Sequence, residues 1–129
     1  MKRRNTNRQT GGIDSGAAAS AALEPRPIDV GEHEFDPVLG VTTLFVEIPR
    51  VETVYFRLAV ESWEDYGVAR TIERFRGPDR RQTLIVVMVA PDYVGPASRS
   101  LARLLAEVDG RQVASTDALR EVLRRDLVG

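Results

Sequence analysis

From residue 43 the chain alternates. Leu44, Val46 and Ile48 fall on one side and Thr43, Phe45 and Glu47 on the other, the period of a strand. The stretch that follows, 49–66, carries two signals. Val54-Tyr55-Phe56 has the composition of a strand, but Thr53, Arg57, Glu61 and Glu64 recur at helical steps on one face. Val51, Val54, Tyr55, Leu58 and Ser62 fall at helical spacing on another, mostly apolar face. Pro49 suits a first helical position and Gly67 the residue just past a helix end, so the spacing predicts a helix.

Residues 68–76 read as a second strand, with Gly77-Pro78-Asp79 as the turn of a hairpin. The β-branched run 82–90 fits a central third strand. After a loop at 91–96, residues 97–109 form an amphipathic helix that buries Leu101, Leu104, Leu105 and Val108 and stops at Gly110. A short fourth strand follows at 111–114. Ser115 or Thr116 can then cap a last helix with the stripe Leu119, Val122, Leu123 and Leu127.

The order strand-helix-strand-strand-helix-strand predicts an α+β fold, the ferredoxin-like split βαβ sandwich. It has a four-stranded antiparallel sheet with two helices on one face, here with an added C-terminal helix. The third strand sharpens this expectation. Ile85, Val87 and Val89 can face the helices, which leaves Leu84, Val86, Met88 and Ala90 on a face the two helices do not reach. Apolar residues on both sides require a cover for the outer face, either the last helix or a second copy of the protein.

Before residue 41 no period is visible. Residues 1–10 are polar and basic, residues 11–22 small, and residues 24–37 acidic with prolines. Burial there does not repay the entropy of ordering, so 1–40 is expected to be a disordered tail and linker, and 41–129 the folded domain. No run of 7–15 apolar residues, the length of a secretory h-region, occurs in the first 40 residues. The longest apolar run, 84–91, is far short of a membrane span. A cytoplasmic location without membrane partners is the expectation.

The 129 residues carry a formal charge of −1, no cysteine and one histidine. Absent cysteine excludes disulfides and thiolate chemistry. All 18 basic residues except Lys2 are arginine. The neutral total hides a basic arm, an acidic segment and a balanced remainder, so it argues only weakly against nucleic acid.

Candidate chemistry is sparse. His33 lies among Glu32, Glu34 and Asp36, but without a second histidine at helical spacing a solvated acidic linker is the plainer reading than a metal site. Glu61, Glu64 and Asp65 form the best carboxylate cluster of the folded part; Arg57 four residues before Glu61 makes a surface ion pair the simpler role. Neither a nucleoside phosphate loop nor a dinucleotide glycine pattern is present. Five arginines, Arg70, Arg74, Arg76, Arg80 and Arg81, stand against only Glu73 and Asp79 in the second strand and hairpin. Such a patch can take phosphates or acidic partners, or it can simply blunt an edge strand.

Leu44-Phe45-Val46, with Ile48-Pro49, resembles the first-strand signature of the RNA-recognition motif, and Asp109-Gly110-Arg111 stands where that family often turns. The third strand, 83–89, has neither the glycine nor the aromatics on which that family stacks bases. Residues 43–115 also resemble a small, mostly bacterial domain family of unknown function. The likeness rests on the strand entering Ile48-Pro49, on 61–67 ahead of Val68-Ala69-Arg70-Thr71, and on 84–89 running into Ala90-Pro91-Asp92-Tyr93. ACT-like regulatory modules share the topology, and with it the habit of pairing through sheets and binding small molecules. Together these imply a non-enzymatic, cofactor-free binding, regulatory or protein-interaction module that forms a homodimer through its sheet, with a small metabolite or a protein as partner. The alternative is an RNA-binding protein that uses the arginine patch.

Overall fold

The computed structural model describes residues 25–63 and 67–128. Among them are five strands and three α-helices: β1 (Phe35–Asp36), β2 (Val41–Pro49), α1 (Thr53–Glu61), β3 (Val68–Arg76), β4 (Gln82–Val89), α2 (Val94–Val108), β5 (Arg111–Val113) and α3 (Asp117–Val128). The protein is α+β with one antiparallel sheet. Central β2 pairs with β4 over its whole length, from Thr42 opposite Val89 to Pro49 opposite Gln82. β3 lies outside β4 at one edge. On the other side of β2, β5 pairs with Phe45–Glu47 and β1 with Val41 and Thr42.

The alternation in β2 and β4 sorts the core into two layers. Leu44, Val46 and Ile48 with Ile85, Val87 and Val89 face α1 and α2, where Phe56, Val60, Leu101, Leu104, Leu105 and Val108 meet them. Phe45, Leu84 and Val86 face the opposite way and are closed over by Leu123 of α3, all four fully buried, with Leu119 half-buried beside them. The last helix is therefore the cover that the third strand required. Thr116 caps it, its hydroxyl accepting the Leu119 N–H at 3.2 Å, while Ser115 donates to the Thr43 carbonyl.

Two expectations are corrected. The sheet has five strands, because the boundary set at residue 40 falls too late. Ile28 and Val30 pack on the core, the Gln112 side chain makes two 2.8 Å hydrogen bonds to the backbone of Asp29, and Asp36 is fully buried. A tight turn makes β1 possible: the Gly40 N–H donates to the Asp36 carbonyl at 2.7 Å, with Gly40 at φ +73°. Residues 1–24 of the expected tail lie outside the described residues.

The second correction concerns α1, which runs from a 3-10 turn at Arg50–Glu52 and turns inward not Val54, Tyr55 and Leu58 but Phe56 and Val60. Helix α2 stops before Gly110 as expected, with Asp109 as its left-handed residue at φ +60°. Gly110 is needed for closeness. A Cβ there would stand 2.8 Å from Ile48 Cγ2 and 3.1 Å from the Glu47 carbonyl.

Candidate functional site

The five arginines singled out from the sequence do not form one patch. Arg70, on the outer face of β3, is tied to Asp126 of α3. Arg76 donates through Nε to Glu47 at 2.8 Å and through Nη1 to Glu73 at 3.3 Å. Glu47, buried at the end of β2, also receives Arg111 of β5 at 2.8 Å, so one carboxylate bridges arginines from both flanks of the sheet. These contacts are structural: each guanidinium already has its anion. Arg74 is exposed on an edge strand whose register shifts twice, between Thr71 and Glu73 and again before Arg76. Bulges and charge together protect that edge from pairing.

Of the five arginines, Arg80 at the hairpin end has no anion partner among the described residues, and Arg50 joins it there. The loop turns at Gly77–Arg80, closed by the Arg80 N–H on the Gly77 carbonyl at 3.1 Å, and Asp79 accepts the Arg81 N–H at 3.1 Å. Arg81 has Asp79 as its ion partner at 4.0 Å. Arg80 sits at φ +59° and places its guanidinium 5.3 Å from the centre of the Phe75 ring. Arg50, at the head of the helical segment, reaches the same ring at 5.0 Å and is anchored there by its N–H on the Arg81 carbonyl at 2.7 Å. Phe75 remains 43% exposed. Arg50 had no mark in the sequence beyond following Pro49; only folding brings it 30 positions along the chain to the hairpin.

A second cluster lies beneath α3. Asp36 Oδ1 accepts the N–H groups of Val38 and Leu39 and the Nη2 of Arg124 at 3.0 Å. Burial pushes the Asp36 carboxyl up, but the Arg124 hydrogen bond, the two backbone donors and the Arg124 charge outweigh it and hold the group below the ordinary 3.8. Its other oxygen, and Nε of Arg124, are buried without a hydrogen-bond partner.

Glu61 is exposed on α1; Glu64 and Asp65 lie outside the described residues, as does the side chain of His33. Among the described residues no group of three His, Cys, Asp or Glu is placed to hold a metal ion. A cleft of about 510 Å³, within the range of small-molecule sites, opens between Arg26–Ile28 and the end of α2, floored by Ala102 and Leu105. No helix among the described residues is long and apolar enough to cross a membrane.

The largest unexplained feature is apolar. Val51 is 88% exposed, Val54 72%, Leu58 61% and Tyr55 47%, in one stripe along the outer side of the 3-10 turn and α1. Of these four, Tyr55 is held in place by its hydroxyl, which donates to Glu107 of α2 at 2.6 Å. Compared with known proteins, the chain matches no family model, no curated protein and no solved structure.

Proposed function

We propose that the protein is a small, non-enzymatic cytoplasmic interaction module that self-associates, with the outer face of α1 as the contact between two copies. The observation that carries it is the stripe of Val51, Val54, Tyr55 and Leu58. A single exposed leucine is ordinary; Val51, Val54 and Leu58, at steps of three and four and none turned to the core, form a mostly apolar face beside Tyr55.

A second copy is the occupant that the area supports. The four exposed side chains present roughly 400 Å² of surface on each copy. Paired about a two-fold axis they hide about 800 Å², and the flanking residues carry the total toward the ~1,200 Å² at which specific interfaces begin. The sheet's outer face is occupied by α3, which is why α1 and not the sheet is the surface proposed here.

Two finer assignments belong to the same proposal. With the two-residue β1 set aside, the neighbours β5-β2-β4-β3, all antiparallel, support the ferredoxin-like topology. The resemblance of 43–115 to a small bacterial domain family is the second.

Sedimentation of the full chain over a range of concentrations tests the dimer. The expected result is a monomer–dimer equilibrium that Val54→Glu/Leu58→Glu shifts to monomer with an unchanged thermal melt of the monomer. A strict monomer, or a dimer indifferent to both charges, would falsify the proposal.

A further inference from the structure

The geometry points to a binding site for single-stranded nucleic acid at the hairpin end, built from Arg50, Phe75 and Arg80. It is independent of the α1 contact. Two guanidinium groups are drawn to one ring, at 5.0 and 5.3 Å from its centre. Among the described residues no carboxylate lies within ion-pair distance of either; the hairpin's own acid, Asp79, is given to Arg81. Like charges repel, and the attraction of each cation to the ring face offsets this only in part. What completes such a cluster is an anion from outside.

Both arginines are held where they are. Arg50 is fixed by its N–H on the Arg81 carbonyl and by Nε on the Arg80 carbonyl at 3.4 Å. Arg80 sits in the left-handed region, at φ +59°, a conformation that glycine or asparagine adopts more easily. Arg80 thus holds, at the exposed tip of the hairpin, a conformation that most side chains avoid.

The chemistry of the ligand follows from the mixture of groups. Guanidinium N–H edges fit phosphate oxygens, and as they turn to phosphate a base can take a guanidinium's place on the face of the partly exposed Phe75 ring. An acidic peptide would use the charges but not the ring. In a duplex, bases are already stacked on each other and shielded from Phe75. The sheet face on which RNA-recognition domains stack bases is not available here, since Phe45 is fully buried under α3. The hairpin is therefore a separate platform, at the end of the sheet and not upon it.

Fluorescence anisotropy of the full chain with a labelled oligouridine strand tests the site. The expected result is binding that weakens steeply with salt. Arg50→Gln/Arg80→Asn should reduce affinity about tenfold or more and flatten the salt slope by about 1 to 1.5. Asparagine is chosen because it tolerates the left-handed turn, so the thermal melt should not fall. Phe75→Leu, which keeps an apolar side chain but removes the ring, should cost about fivefold or more. Absence of binding, or affinity equal in the variants, overturns the site. Displacement by polyglutamate as effective as by unlabelled oligouridine also overturns it, in favour of an acidic peptide. Val54→Ser/Leu58→Ser protein, which removes the apolar stripe without adding charge near Arg50, should bind the strand like wild type, which keeps failure of the dimer separate from failure of this site.

Discussion

Asp36 and Arg124, 88 positions apart, meet beneath the last helix: Nη2 of the arginine lies 3.0 Å from an oxygen of a carboxylate with no exposed surface. The same oxygen accepts two backbone N–H groups of the turn that brings β1 against β2. One ion pair thus ties α3 to the segment preceding the first long strand, across the edge of the layer that α3 covers.

Replacing this carboxylate gives a pH-dependent outcome. The folded value of Asp36 lies below its ordinary 3.8, so the charged form stabilises the fold. That contribution is complete above the unfolded value and is lost as the pH falls through the folded one. Asp36→Asn should cost about 2 to 3 kcal/mol at pH 7, near the lower end for breaking a buried pair because Arg124 keeps some solvent. Urea unfolding should show the gap between wild type and variant shrinking below about pH 4. An equal gap at pH 7 and pH 3 would contradict the ion pair as its source.

Leu123 is the plug of the outer layer. It is fully buried against Phe45, Leu84 and Val86. Leu123→Ala should destabilise the protein by about 3 kcal/mol, the transfer of a leucine side chain plus the cavity it leaves. Ending the chain at Thr116 uncovers the whole apolar layer, and light scattering should then show concentration-dependent association. A soluble monomer with an unchanged melting temperature would mean that α3 is dispensable.

Gly110 is packed too closely for any side chain. The Cβ of Gly110→Ala would meet Ile48 Cγ2 at 2.8 Å, Leu105 Cδ2 at 2.9 Å and the Glu47 carbonyl at 3.1 Å. Two of these belong to flexible side chains, but the third is backbone in the central strand. A loss of about 1 to 3 kcal/mol is expected, the usual cost of overpacking, measured by thermal or urea unfolding. A neutral alanine would show that the turn after α2 moves freely away from β2.

Glu47 joins two arginines of unequal worth. Arg111 is mostly exposed, so its pairing is screened, whereas Arg76 is mostly covered. A double-mutant cycle between Glu47→Ala and Arg76→Ala should give a coupling of about 1 kcal/mol or more, and the cycle with Arg111→Ala a smaller one. The reverse order would place the stabilising contact at β5 rather than β3.

The sheet was legible because its signal is local. Period-two alternation in 43–48 and 84–89 names the residues of each face without any knowledge of what lies opposite, and both layers form as that alternation requires. The need for an outer cover followed from the same pattern. Helix α1 was legible as a helix but not in its rotation. Phe56 and Val60 lie on one side, Val54, Tyr55 and Leu58 on the other, and both sides are apolar enough to pack. Periodicity measures that a stripe exists; with two stripes it cannot say which one the core takes. The site fared likewise. A count of arginines over 70–81 sees charge but no partners, and the partners that dispersed the patch, Glu47 and Asp126, come from distant strands and helices.

Residue order alone thus settled the α+β class, the positions of the long strands and the two apolar faces of the sheet, since each depends on neighbours a few residues apart. Tertiary packing alone decided that α3 closes the outer face, that the 3-10 turn and α1 leave Val51, Val54, Tyr55 and Leu58 largely exposed, and that Arg50 joins Arg80 on Phe75. Those choices compare the burial of competing surfaces and the pairing of charges tens of residues apart. Such comparisons have a value only once the chain has closed on itself.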